Sequence, residues 1–234
     1  VSIKRNTAIN LSGALISIGV MFLTVPYMLH ALGTERYGVM AIVWLLLGYF
    51  GFFDLGMGRA TAFEIARSGA EDRTRIFWSA LAINAALGIV GGLAFLLIAE
   101  PLFLSVFNLS AQSEQEVVKI LPFVAIAVPL ATVSSVFSGI LSGRAMFLAL
   151  NARNIVTTLL LQLVPLAAVY WIRPTLDVAI AASLLGRVLS VLFLAGVAFR
   201  AASATPVPRM GDAQMFKRLA SYGGWISAGA VIRP

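Results

Sequence analysis

The chain has no cysteine and a single histidine, His30, in 234 residues. Without thiols there are no disulfides, thiolate metal sites or cysteine nucleophiles. One imidazole is too few for a histidine metal cluster or a catalytic triad, so neither metal nor cofactor is expected and the chain does not read as an enzyme. Charge is the second scarcity: Asp, Glu, Lys and Arg make up 12% of the sequence, against roughly 25% in a soluble domain. Hydrophobic residues reach 60%, and the mean hydropathy is +0.94. A fold with so few charges cannot cover its surface for water. It must face lipid.

The charge that is present is mostly basic, with a net +7 and a pI near 10.4. The basic residues stand between apolar runs, so they read as topology signals and anionic-lipid contacts rather than as a nucleic-acid surface. Six apolar segments run roughly over 7–32, 37–54, 76–99, 117–142, 154–172 and 178–199, and a seventh opens near Ser221. Each approaches or exceeds the ~20 residues that cross a ~30 Å hydrocarbon core. Lipid offers backbone groups no outside partner, so these segments are expected to be helices. The pattern predicts an all-α, multi-pass membrane bundle.

Placing the N-terminus in the cytoplasm puts Lys4, Arg5, Arg59, Arg67, Arg73, Arg75, Arg144, Arg153, Arg200, Arg209, Lys217 and Arg218 inside. Only Arg36, Lys119 and Arg173 then lie outside. That bias predicts a cytoplasmic N-terminus. "GTERYG" (33–38) reads as a tight outside turn, and residues 100–116 as the largest outside loop, partly amphipathic and interfacial. Residues 1–200 form the expected transmembrane lobe, and the Pro-containing stretch 201–214 a cytoplasmic linker. Residues 215–234 are expected to begin an interfacial helix, with Asp212 as its N-cap, and the seventh span. The first residue is Val1 and the last, Pro234, falls within an apolar run, as expected of a fragment.

One motif invites misreading. "FFDLGMGRATAFEIAR" (52–67) contains GMGRAT, which looks like half of a nucleotide-binding glycine loop. Such a fingerprint needs a preceding strand and a ribose-binding acid ~20 residues on, whereas an apolar span precedes this one. The motif instead reads as the cytoplasmic exit of the second span. Asp54 then lies near the headgroups, Gly56 and Gly58 allow a bend or a close neighbour, and Arg59 joins the inside charges. The plainer alternative is that Asp54 and Arg59 only mark the interface.

Two arginines lie deeper. Arg187 is ten residues beyond Asp177, about 15 Å at 1.5 Å per residue, and Arg233 has a similar depth in the seventh span. A mid-membrane arginine costs at least ~2.5 kcal/mol and normally faces protein or a watery cavity. Arg187 and Arg233 are therefore candidate cavity cations for an anionic guest, with snorkelling or a carbonyl bond as the alternative. Asn10, Asn84, Gln162 and the serines of "TVSSVFSG" (132–139) are expected mainly to bond helix to helix, one or two lining the cavity. Pro26, Pro129 and Pro165 mark kinks.

Residues 5–60 resemble the start of polysaccharide-biosynthesis flippases of the Wzx type, of the multidrug/oligosaccharidyl-lipid/polysaccharide exporter superfamily. The matching features are the Asn near the first helix, Pro26, "ALGTERYG", and "FDLGMGRA" closing helix two; "YGGWISAG" resembles the opening of the family's seventh helix. The resemblance implies two pseudo-symmetric lobes around a central cavity, this chain being the first, six-helix lobe and the start of helix seven. It implies a bacterial inner-membrane flippase that moves an undecaprenyl-pyrophosphate-linked oligosaccharide between leaflets by alternating access, coupled to H+ or Na+. It also implies that Asp54, Gly56, Gly58 and Arg59 serve structure or gating. The rivals are a drug or cation antiporter of the same superfamily, a membrane-embedded transferase or polymerase, and a non-transporting scaffold.

Overall fold

The computed structural model describes residues 3–49, 54–106, 111–202, 211, 214–219 and 221. Among them the chain is helical and has no strand. Seven helices follow in order: α1 (Ile3–Leu32), α2 (Thr34–Tyr49), α3 (Met57–Arg67), α4 (Ala70–Val106), α5 (Ala111–Gly143), α6 (Phe147–Trp171) and α7 (Leu176–Ala202). Five of them, α1, α4, α5, α6 and α7, are long and apolar enough to cross a membrane. The six apolar segments of the sequence correspond to α1, α2, α4, α5, α6 and α7.

Short devices separate these helices. Gly33, at φ +81°, ends α1, and its N–H donates to the Leu29 carbonyl at 3.0 Å. A left-handed residue at this position is the usual helix stop, and glycine adopts it without steric cost. Thr34 already begins α2, so "GTERYG" is mostly first helical turn, not loop. Between α5 and α6, Ala145 is also left-handed, and the Met146 N–H closes back on the Leu141 carbonyl at 2.9 Å.

Two further expectations need correction. The motif at 52–67 does not close helix two as one continuous helix. Leu55 (φ 46°) and Gly56 (φ 70°) are both left-handed, which a right-handed helix cannot pass through, and α3 starts afresh at Met57. The supposed loop 100–116 is mainly helix: α4 runs through Pro101 to Val106, and α5 begins at Ala111. Buried Phe103 and Val117 anchor those helix ends in the core. Helical backbone also occupies 214–219, where a short helix is expected, and its Met215 and Leu219 are buried against the lobe. Asp212 and most of 220–234, Arg233 included, lie outside the described residues.

The interior has two apolar cores, one toward each end of the bundle. The first joins Met28 and Leu32 of α1 with α2, the end of α4, the start of α5 and the start of α7. The second joins α3, the start of α4, the end of α5 and the end of α7, around Phe77. Phe77 lies 4.5 Å from Phe199 and 6.0 Å from Phe137, centroid to centroid. Buried polar residues Asn84, Thr132, Gln162, Ser183 and Ser190 stand on α4, α5, α6 and α7.

Polar contacts and close approaches fasten the helices. The Thr24 hydroxyl donates to Gln162 Oε1 at 3.0 Å and that of Thr158 to Ser17 Oγ at 3.2 Å, tying α1 to α6. Thr132 of α5 donates to the Asn84 carbonyl of α4 at 2.9 Å. The Asn84 side chain itself donates to the Ala80 carbonyl of its own helix, so the interhelical bond at this position runs through its backbone.

Candidate functional site

The break after α2 builds one side of a polar site. Asp54 lies in the turn, half-buried, and its Oδ2 accepts the Gly58 N–H at 3.1 Å. This caps α3 through an aspartate placed just before the helix, although the cap residue itself is Gly56, which has no side chain to offer. The other carboxylate oxygen, Oδ1, accepts from the Ser135 hydroxyl of α5. Asp54 thus joins two helices.

Close backbone approach builds the floor. A Cβ at Gly58 would meet the Ser135 carbonyl oxygen at 3.0 Å, and one at Gly139 would overlap the Gly58 carbonyl outright. Only glycine lets α3 and α5 lie this near, the close packing that small residues permit in membrane helices.

Arg153 supplies the opposite wall. It lies in the second turn of α6, half-buried, with one guanidinium nitrogen donating to Ser134 Oγ and another to Asn154 Oδ1, both at 3.1 Å. Its Nε is buried and has no partner among the described residues. The three elements enclose an open cavity of about 410 Å³ lined by Asp54, Arg59, Ser135, Ser138, Ser142 and Arg153, with Gly58, Ala62, Ala131 and Gly139 between them. That volume falls within the ~300–1,000 Å³ of small-molecule sites.

The structure therefore brings Asp54, Gly58 and Arg59 together on one cavity and puts Gly56 at its edge as the left-handed cap. Arg187 is elsewhere. It lies mid-way along α7, half-buried, against a separate pocket of about 20 Å³ walled mostly by apolar residues such as Val43, Trp44, Leu47 and Phe123. That is room for about one water. No described residue accepts a hydrogen bond from Arg187, and it is near enough to Arg153 for their charges to interact.

Arg153 is the residue that sequence reading missed, having been assigned to an inside loop. The signal was present. Asn151, Asn154, Thr158 and Gln162 recur at three- and four-residue spacing, and that helical stripe extends the segment back past its apolar start at 154. Arg153 sits inside the extension.

Comparison with known proteins agrees with this architecture. The sequence model of a family described as polysaccharide biosynthesis protein matches residues 3–233. The chain belongs to the polysaccharide biosynthesis protein family. A Shigella flexneri protein named "Putative O-antigen transporter" is 26% identical over 235 residues, covering 100% of this chain and 55% of the relative. An outward-facing multidrug-resistance transporter of the multidrug/oligosaccharidyl-lipid/polysaccharide superfamily superposes with a TM-score of 0.75 at 18% identity, over 98% of this chain and 54% of that one. A transporter of the same superfamily from Pyrococcus furiosus, described as having a binding pocket of reversed polarity, gives 0.69 at 18% identity, over 97% and 53%. This family member thus has the superfamily's membrane fold and spans about half the length of the relatives it matches.

Proposed function

We propose that the chain forms one lobe of a flippase that moves a lipid-linked oligosaccharide, carried on undecaprenyl pyrophosphate, across the bacterial inner membrane. One observation carries this reading: a helical lobe that is apolar outside encloses an open cavity holding two guanidinium groups, one carboxylate and three serine hydroxyls. Pyrophosphate and sugars cannot cross hydrocarbon unaided, while a polyprenyl tail remains in the bilayer. A polar cavity beside the lipid supports such a path. Family membership and the relative's name support a polysaccharide cargo.

In this mechanism Arg153 and Arg59 attract the pyrophosphate at the cytoplasmic side. Arg187 and, on the seventh span, Arg233 hold it deeper while the lobes rock between inward- and outward-open forms. Asp54 is the carboxylate available to carry a coupling proton or Na+. A superfamily drug or cation antiporter remains the second reading, because Asp54 also lines the cavity; the excess of guanidinium groups there favours an anionic cargo.

Arg187→Ala is expected to abolish surface polysaccharide in a strain that depends on this protein, while membrane insertion by immunoblot is unchanged. Polymer at the wild-type level would remove Arg187 from the path.

A further inference from the structure

Asp54 and Arg153 line one cavity but do not pair. Each is held by neutral partners: Asp54 by the Ser135 hydroxyl and the Gly58 amide, Arg153 by Ser134 and Asn154. A carboxylate offers about four lone-pair sites and a guanidinium five N–H donors. Two are engaged on each side, which leaves lone pairs on Asp54 and N–H donors on the two terminal nitrogens of Arg153. Polar capacity of both signs is therefore left over in the same space. Ser135, Ser138 and Ser142 line the same cavity; their protons are given to Asp54, the Ser134 carbonyl and the Ser138 carbonyl, which leaves oxygen lone pairs that accept.

That combination selects against simple ligands. A bare anion would gain from Arg153 and Arg59 but be repelled by Asp54. A bare cation would meet the reverse. The fitting ligand carries a negative charge with acceptor oxygens at one end and hydroxyl donors at the other. We propose that this cavity is a two-part subsite for a phosphate ester bearing neighbouring hydroxyls, Arg153 taking the phosphate and Asp54 the hydroxyls beside it. The proposal rests on the transport reading and deepens it: Asp54 becomes a specificity residue for the sugar next to the phosphate.

The test is calorimetric titration of the chain in phosphatidylcholine nanodiscs with inorganic phosphate and with glucose 1-phosphate. Glucose 1-phosphate is expected to bind at least about tenfold more tightly, the equivalent of ~1.4 kcal/mol. Asp54→Asn keeps an N-capping side chain, so α3 is retained. It is expected to erase the tenfold margin without weakening inorganic phosphate, whereas Arg153→Gln weakens both ligands about tenfold. Phosphatidylglycerol carries the same chemistry in its headgroup. If discs containing it block glucose 1-phosphate, the subsite belongs to a phospholipid; undiminished binding assigns it to a glycosyl phosphate. Equal affinities for the two probes, or an equal effect of Asp54→Asn on both, would overturn the subsite. Either result alongside normal polysaccharide export would leave the transport reading standing.

Discussion

Asp54 is held by a hydroxyl on one oxygen and a backbone amide on the other, and the two bonds are separable by mutation. Ser135→Ala removes the link to α5 and leaves the α3 cap intact. Hydrogen bonds to charged groups contribute about 1.5–3 kcal/mol, and a loss of that size is expected in unfolding experiments on the detergent-solubilised chain. Ser138→Ala is the control. Its hydroxyl bonds only to the Ser134 carbonyl of its own helix, so its effect is expected to stay below about 0.5 kcal/mol. Equal losses would mean that the Asp54–Ser135 bond contributes nothing particular. At this scale the sequence marked Asp54, Gly58 and Arg59 as one motif, because the glycine spacing and the two charges are local features, and the structure sets all three on one cavity. It misplaced Arg153, whose role depends on Ser134, nineteen residues away on another helix.

Helices α3 and α5 touch through backbone, which makes glycine substitutions there discriminating. Gly139→Ala pushes a methyl into the Gly58 carbonyl, and overpacking of this kind costs about 1–3 kcal/mol. Gly19→Ala on α1 meets nothing within 4 Å and is expected to stabilise by about 0.5–1 kcal/mol through helix propensity. Opposite shifts in unfolding midpoint are therefore expected, and shifts of the same sign would deny the close α3–α5 contact. Six apolar segments were legible because length and composition identify a span without reference to its neighbours. The boundary of α2 was not, since a left-handed pair at Leu55 and Gly56 leaves no mark on hydropathy. Nor was the helical character of 100–106 and 111–116, beside which Phe103 and Val117 are held by core partners distant in sequence.

Across the whole molecule, the basic residues segregate by helix end. Arg59 and Arg67 belong to α3, beside the second core, and Arg144 and Arg200 to the α5 and α7 ends that adjoin it. Arg36 lies at the opposite end, where its Nε donates to Glu116 Oε2 at 2.8 Å and its guanidinium reaches the Pro174 carbonyl at 3.3 Å. That contact ties α2, α5 and the turn before α7 together at the first core. With the N-terminus inside, a cysteine introduced near residue 110 is expected to react with an impermeant thiol reagent added outside intact cells. One near residue 205 is expected to react only after lysis, and the reverse pattern would invert the topology. By itself the sequence determined that the chain lives in a bilayer as helices, because hydropathy and backbone hydrogen bonding are properties of each segment alone. Its family was also legible there, in "ALGTERYG" and "FDLGMGRA". Only the tertiary structure decided which charges share a cavity. Charge pairing and enclosure depend on distances between helices, and those are set by where glycines let backbones approach and where serines bridge them.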